Sequence, residues 1–201
     1  MKCIQLIHRR HHRPIRTALA VLTLAAIPAG AVSVPAHAAS TASTAAAATC
    51  AARWGSLPEA STYQGYGLLT NVRTGRHACY DRIVFDVQGK PSWFRVHYVK
   101  NIYTIGEGKL IPLRGGAKLE IILSVTPYDT DDGYITYDPP NHNELTNVRG
   151  YRTFRQVVDA GSFEGETVIG VGVRARLPFR VFTLTGAGNT SRIVVDVAHR
   201  W

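Results

Sequence analysis

The chain has little cysteine, little acidic charge and little helical periodicity. Each shortage excludes something. Three cysteines in 201 residues are too few for a disulfide-dense mini-protein or a zinc site built from four thiolates. The 14 acids are outnumbered by 23 Lys and Arg, and none of the acids lies in the first 38 residues. No stretch carries an apolar stripe of helical spacing longer than about two turns, which excludes a helical bundle or a βαβ fold. The histidines that follow residue 38 are His77, His97, His142 and His199. They are scattered, and no H-x-x-x-H spacing occurs among them, so a histidine-rich metal centre is not expected. There is no G-x-S-x-G turn for a serine nucleophile. Gly170-x-Gly172 opens no helix and is no phosphate loop.

What is present begins with an export signal. Residues 1–16 carry Lys2, Arg9, Arg10, Arg13 and Arg16. Thr17–Val34 is apolar and uncharged, and Ala36-His37-Ala38 offers a small-residue cleavage pattern. That order predicts a secretory signal peptide over residues 1–38 and a secreted product, free or associated with the wall, with no membrane attachment after cleavage. Five of the 23 basic residues leave with it, so 18 remain against 14 acids, a net charge of +4. This is too mild to argue for nucleic acid and suits loose attraction to an anionic wall or membrane surface, or simply a solvated exterior. Cys3 leaves as well. Cys50 and Cys79 remain, and in an exported chain a disulfide between them is the default. Closing that loop of about 30 residues is worth roughly 3–4 kcal/mol on the chain-entropy account.

Residues 39–67 read as a flexible Ala/Ser/Thr-rich lead followed by an edge segment, and residues 68–201 as the folded domain. Apolar and polar residues alternate in Tyr80–Val87, Trp93–Val99, Ala117–Val125, Thr167–Val173, Phe179–Leu184 and Arg192–Val197. Gly, Pro, Asn and Asp separate most of these runs. Only Thr153–Val158 is ambiguous. The pattern predicts an all-β sandwich or barrel. Arg82-Ile83-Val84-Phe85-Asp86-Val87 is nearly repeated as Arg192-Ile193-Val194-Val195-Asp196-Val197. In both copies the second, fourth and sixth residues are apolar, and Arg and Asp share the other face. Within one strand Arg and Asp stand about 13 Å apart. Two antiparallel neighbours would instead pair Arg82 with Asp196 and Arg192 with Asp86, under an internal two-fold.

Candidate binding residues fall in three groups. Arg174, Arg176 and Arg180 cluster around a turn at Pro178, either to hold carboxylates by bidentate contacts or as a solvated basic turn. Trp93, Arg95 and His97 share one face of a strand, open to a sugar chain or covered by another layer. Tyr128, Tyr134 and Tyr137 lie in the polar stretch Thr126–Thr146, a functional loop or a hairpin through Gly133. Gly170 and Gly172 share a face on which a backbone, an aromatic ring or a flat ligand could approach closely. Asp129-Thr130-Asp131-Asp132-Gly133 suggests calcium, but the twelfth position is Pro140, and a solvated turn fits better. No metal or other cofactor is expected.

The ending Ser191-Arg192-Ile193-Val194-Val195-Asp196-Val197-Ala198-His199 resembles the final strand of AMIN domains, as does Tyr80-Asp81-Arg82-Ile83-Val84-Phe85-Asp86. Gly161–Thr167, Gly170–Arg174 and Pro178–Phe182 are similar to the AMIN-like domain of secreted actinobacterial proteins. The resemblance covers about residues 70–201. It implies a β-sandwich of two small sheets and a role at the cell wall, with peptidoglycan as partner. The arrangement departs from that of wall amidases: no amidase catalytic segment follows the last strand, so hydrolase activity is not carried over. The expectation is therefore a non-catalytic wall-binding module. The alternatives are an extracellular hydrolase with an unrecognised site and a sandwich that binds a small molecule or a protein.

Overall fold

A computed structural model describes residue 50 and residues 53–63, 65–90 and 92–201. The expected signal peptide and the Ala/Ser/Thr stretch up to Thr49 lie outside the described residues. In chain order the strands are β1 (Glu59–Ala60), β2 (Gly67–Arg76), β3 (Tyr80–Gly89), β4 (Phe94–Val99), β5 (Ile102–Tyr103), β6 (Leu110–Ile111), β7 (Ala117–Leu123), β8 (Val125–Thr126), β9 (Phe154–Phe163), β10 (Glu166–Val173), β11 (Phe179–Thr185) and β12 (Thr190–Ala198). No helix occurs among the described residues. The ambiguous Thr153–Val158 lies largely in β9.

Two five-stranded sheets form, in the orders β1-β4-β7-β10-β9 and β11-β12-β3-β2-β8, and β5 and β6 make a separate hairpin. The period of two in the sequence sets which residues face inward. Phe94, Val96, Leu119, Ile121, Leu123, Ile169, Val171 and Val173 of the first sheet meet Leu69, Val72, Ile83, Phe85, Val87, Phe179, Ile193, Val195 and Val197 of the second in one apolar core. The architecture is a β-sandwich. Each such side chain removed from water contributes about 1.5–3 kcal/mol. The chain changes sheets at Ser124: β7 belongs to the first sheet, and β8 pairs in parallel with β2 in the second.

The outer face of the first sheet is not bare. Ile102, Leu113, Val158, Ala160 and Val168 form a second apolar cluster under the β5–β6 hairpin. Gly170 and Gly172 make this cover possible. The Ile102 side chain lies where a side chain at 170 would begin, 3.1 Å away, and the Arg114 carbonyl oxygen occupies the place of one at 172. The close approach is thus made by an aliphatic side chain and by backbone.

The lead segment seals one edge of the sandwich. β1 pairs with β4 in the first sheet. The same segment satisfies the outer edge of β11 in the second, through Phe179 N–H to the Gly55 carbonyl (2.8 Å) and Val181 N–H to Glu59 Oε2 (2.9 Å). An edge strand that would otherwise expose its amides is thereby closed. A disulfide joins Cys50 to Cys79 and fixes the start of this lead beside β3.

Candidate functional site

β3 and β12 are antiparallel neighbours at the centre of the second sheet. Their register places Arg82 opposite Asp196, Arg192 opposite Asp86, and Val84 opposite Val194 at the centre of the repeat. The local two-fold implied by the repeat is therefore present. One of its two ion pairs forms: Arg82 Nε and Nη2 donate to Asp196 Oδ1 and Oδ2 at 2.6 and 2.9 Å. Arg180, from the flanking β11, adds Nε and Nη2 to Oδ2 at 2.9 and 2.8 Å. Asp196 is fully buried, so two guanidinium groups share one carboxylate out of reach of water.

The second pair does not form. Asp86 is bound by Arg73 of β2 through two contacts of 2.8 and 3.0 Å, and by Asn71 Nδ2 at 3.3 Å. Arg73 and Asn71 between them occupy both oxygens of Asp86. Arg192 is left without an ion-pair partner among the described residues. The outer face thus carries four guanidinium groups and two carboxylates. The hydrogen bond that Arg82 donates to Asp196 holds the Arg82 pKa above its ordinary value, and the one that Arg73 donates to Asp86 does the same for Arg73.

Aromatic rings organise this face. The Arg180 guanidinium stands 4.4 Å from the Trp54 ring centre and 5.3 Å from that of Phe182. Arg82 stands 5.2 Å from Tyr80 and 5.5 Å from Phe182. Planar cations over ring faces are held in place without being neutralised. Beside them is a groove of about 220 Å³ whose floor is Val84, Val194 and Leu184 and whose rim includes Arg73, Arg82 and Arg192.

Of the three predicted arginines at the Pro178 turn, only Arg180 reaches this face. Arg174 Nη2 donates to the His199 carbonyl at 2.6 Å. Arg176 donates to Ser56 Oγ and to its carbonyl at 3.1 and 2.8 Å and lies over the Tyr98 ring. Tyr98 fixes the turn itself: its hydroxyl donates to the Leu177 carbonyl and accepts from Leu177 N–H. Burial raises the pKa of Tyr98.

Arg95 and His97 lie on the outer face of the first sheet, Arg95 exposed and His97 half-buried. His97 Nε2 is 3.4 Å from Glu120 Oε2, and its Nδ1 is buried without a partner. Trp93, just before β4, is half-buried. The tyrosine stretch folds as a small turn through Gly133, closed by a Tyr128–Ile135 bridge. Tyr134 is 69% exposed, whereas Tyr137 packs against the core. Burial and, after it, the charge of Asp159 push the Tyr137 pKa up to about 12. A phenol raised in this way stabilises the fold below the ordinary tyrosine range, near pH 10. That contribution fades as pH rises toward 12. Ultraviolet titration is expected to show late-titrating phenol at pH 11, and the Tyr137→Phe variant is expected to show one such tyrosine fewer. An unchanged titration curve in the variant would contradict the assignment.

A pair that motif reasoning missed lies at the other end of β3. Asp81 is fully buried and accepts from Thr153 N–H, Phe154 N–H and His199 Nε2 at 2.6, 3.1 and 3.0 Å. Nothing local in the sequence marks it, because its partners lie 72, 73 and 118 residues away. Among the described residues no three His, Cys, Asp or Glu side chains are grouped to hold a metal ion.

The fold and this face define a class: an all-β, two-sheet sandwich whose central repeat strands present ordered arginines. Within that class, the family profile of the AMIN-like domain matches residues 67–199, and the chain belongs to that family. No curated protein matches the sequence. Membership suggests a cell-wall-related module; such domains are generally non-catalytic binding or targeting units and occur in secreted or periplasmic proteins. No described helix is long and apolar enough to cross a membrane.

Proposed function

We propose that this chain is an exported, non-catalytic, cell-wall-associated module whose ligand is peptidoglycan or a polymer attached to it. The observation that carries the reading is the unmatched Arg192 guanidinium beside an apolar-floored groove on an arginine-rich face. Carboxylates of wall peptides are anions of the right size for it, and an exposed methyl group of the same peptide suits Val84, Val194 and Leu184. Arg180 belongs to the same face. Arg176 supports it indirectly by holding Ser56, two residues from Trp54, and Arg174 holds the chain at His199. The exposed Arg95 and Tyr134 are secondary contacts for a long polymer in this reading, whereas Trp93, His97, Tyr128 and Tyr137 are partly buried and serve the fold. The signal sequence and the Cys50–Cys79 disulfide support an oxidising destination outside the cytosol.

The test is co-sedimentation of residues 39–201 with purified peptidoglycan at low salt. The Arg192→Ala variant is expected to bind roughly tenfold more weakly, since a charge-assisted contact is worth about 1.5–3 kcal/mol. Arg192 has no ion-pair partner among the described residues, so the variant is expected to unfold at the same denaturant concentration as the parent. Full retention of binding would remove the groove from the site, and no sedimentation by the parent protein would end the reading.

A further inference from the structure

A second basic site lies away from the Asp196 face. It is a cleft of about 470 Å³ bordered by the loop 144–151, the start of β9 and Arg114. Its walls carry Arg114, Arg149 and Arg155, and Arg76 of β2 reaches its rim, with Nη1 3.6 Å from where a side chain at Gly150 would begin. Glu144 is the one acid among the lining residues. Four guanidinium groups and one carboxylate leave +3 here, against +4 for all of residues 39–201. With the excess of two on the Asp196 face, the two arginine sites together hold more positive charge than the whole exported chain. With the buried Asp81 set aside, the remaining surface is balanced in charge, and neither site is a sample of a uniformly basic exterior.

The four arginines differ in what they have left to offer. Arg155 is fixed to backbone: Nη1 donates to the Tyr151 and Phe154 carbonyls and Nη2 to the Arg152 carbonyl. Arg114 donates to the Arg155 carbonyl and pairs with Glu144 at 2.6 Å, and that carboxylate is 35% exposed and can swing aside. Among the described residues the Arg76 guanidinium meets the Tyr151 ring, 5.9 Å from its centre, and no carboxylate. Arg149 projects from a turn set by Asn147 Oδ1, which accepts Arg149 N–H, and its guanidinium has no partner among the described residues. Three forks thus surround one cavity with their charge incompletely answered.

We propose that this cleft binds a phosphodiester-linked polymer of the sugar-phosphate or polyol-phosphate kind, at a site separate from the peptidoglycan-binding face. A lone carboxylate on this molecule takes two forks, as Asp196 does with Arg82 and Arg180, whereas three face this cavity. A chain of phosphodiesters brings several singly charged groups at regular spacing into one cavity, each with two non-bridging oxygens for a separate guanidinium fork. The cavity is of ordinary ligand-pocket size, well beyond one inorganic phosphate, so a chain fits it better than a lone ion. Nucleic acid is disfavoured because base stacking needs an open aromatic face. The two rings that line the cleft, Tyr151 and Phe154, are stacked on each other at an interplanar angle of 14°, and Arg76 lies over Tyr151.

The experiment titrates residues 39–201 with three polyanionic probes at 50 and 200 mM salt. The probes are linear tripolyphosphate, citrate and a short single-stranded oligonucleotide, and arginine Nε–Hε resonances are followed by NMR. Tripolyphosphate is expected to bind saturably and to shift Arg114, Arg149 and Arg76 but not Arg192. Arg149→Ala is expected to weaken it about tenfold while leaving peptidoglycan sedimentation unchanged. A further arm replaces tripolyphosphate by a purified glycerol-phosphate polymer, which is expected to compete for the same resonances. Citrate or oligonucleotide binding as tightly as the phosphate probes, no saturable phosphate binding, or shifts confined to Arg192 would each overturn the proposal. Absence of peptidoglycan binding by the parent chain, with phosphate binding intact, would remove peptidoglycan and the Arg192 groove from the function proposed above and leave this site standing.

Discussion

Replacing Asp196 by alanine is expected to lower the unfolding free energy by about 3 kcal/mol, read from the urea midpoint at neutral pH. The carboxylate is fully buried and accepts from both Arg82 and Arg180. Removing one member of a buried ion pair typically costs about 3–5 kcal/mol, because the remaining charge loses its partner without regaining water. Here the arginine side chains are 24% and 41% exposed, so each recovers some hydration and the lower end of the range applies. Asp196→Asn retains one oxygen acceptor and the side-chain volume, and is expected to lose about half as much. The double variant Asp196→Ala with Arg180→Ala tests the cause. If an orphaned guanidinium is the source of the loss, removing Arg180 as well is expected to cost less than the two single losses added. Trp54 lies against Arg180, so its fluorescence is expected to move with Asp196→Ala as well. A loss under about 1 kcal/mol, or strictly additive variants, would show that the shared carboxylate is not what holds this face together.

The Arg82–Asp196 bond is legible in the sequence, and the reason is geometric. Two copies of one alternating hexapeptide that pair antiparallel bring the first residue of each opposite the fifth of the other, and the register does so. The failure of the mirror pair is not legible there. It depends on a register shift between Leu69 and Asn71, after which Asn71 and Arg73 lie within reach of Asp86. A bulge leaves no period of its own in a sequence. Gly170 and Gly172 signal a close approach correctly, but what approaches comes from the loop between β4 and β7, whose irregular course carries no alternation. The same limit applies to the lead segment, which crosses from one sheet to the other through Gly55 and Glu59. It applies most strongly to the cleft at Arg149. Its four arginines come from three separated segments, and no spacing along the chain joins them.

A still larger loss is expected at Asp81, where a single carboxylate ties three parts of the chain together. Its Oδ2 accepts both Thr153 N–H and Phe154 N–H, and its Oδ1 faces His199 Nε2. The other ring nitrogen of His199 lies 3.2 Å from the Ala78 carbonyl, and His199 N–H donates to the Cys79 carbonyl beside the disulfide. Thr153 in turn reaches the Ala198 carbonyl through its hydroxyl and accepts Arg174 N–H through its own carbonyl. Asp81→Ala strands two buried backbone amides and one histidine nitrogen. At about 1–3 kcal/mol for each unsatisfied buried donor, and with partial relaxation at the chain end, a total of about 4 kcal/mol is expected. His199→Ala removes one donor and leaves both amides paired, so it is expected to lose about 1–2 kcal/mol. Global stability alone would not separate this network from ordinary packing, so hydrogen exchange supplies the second readout. In Asp81→Ala the Thr153 and Phe154 amides are expected to lose protection beyond the change seen in the core of β10. In His199→Ala they are expected to keep it. If both amides stay protected in Asp81→Ala, or if His199→Ala costs as much as Asp81→Ala, the carboxylate is not the tie that joins β3, the start of β9 and the end of β12.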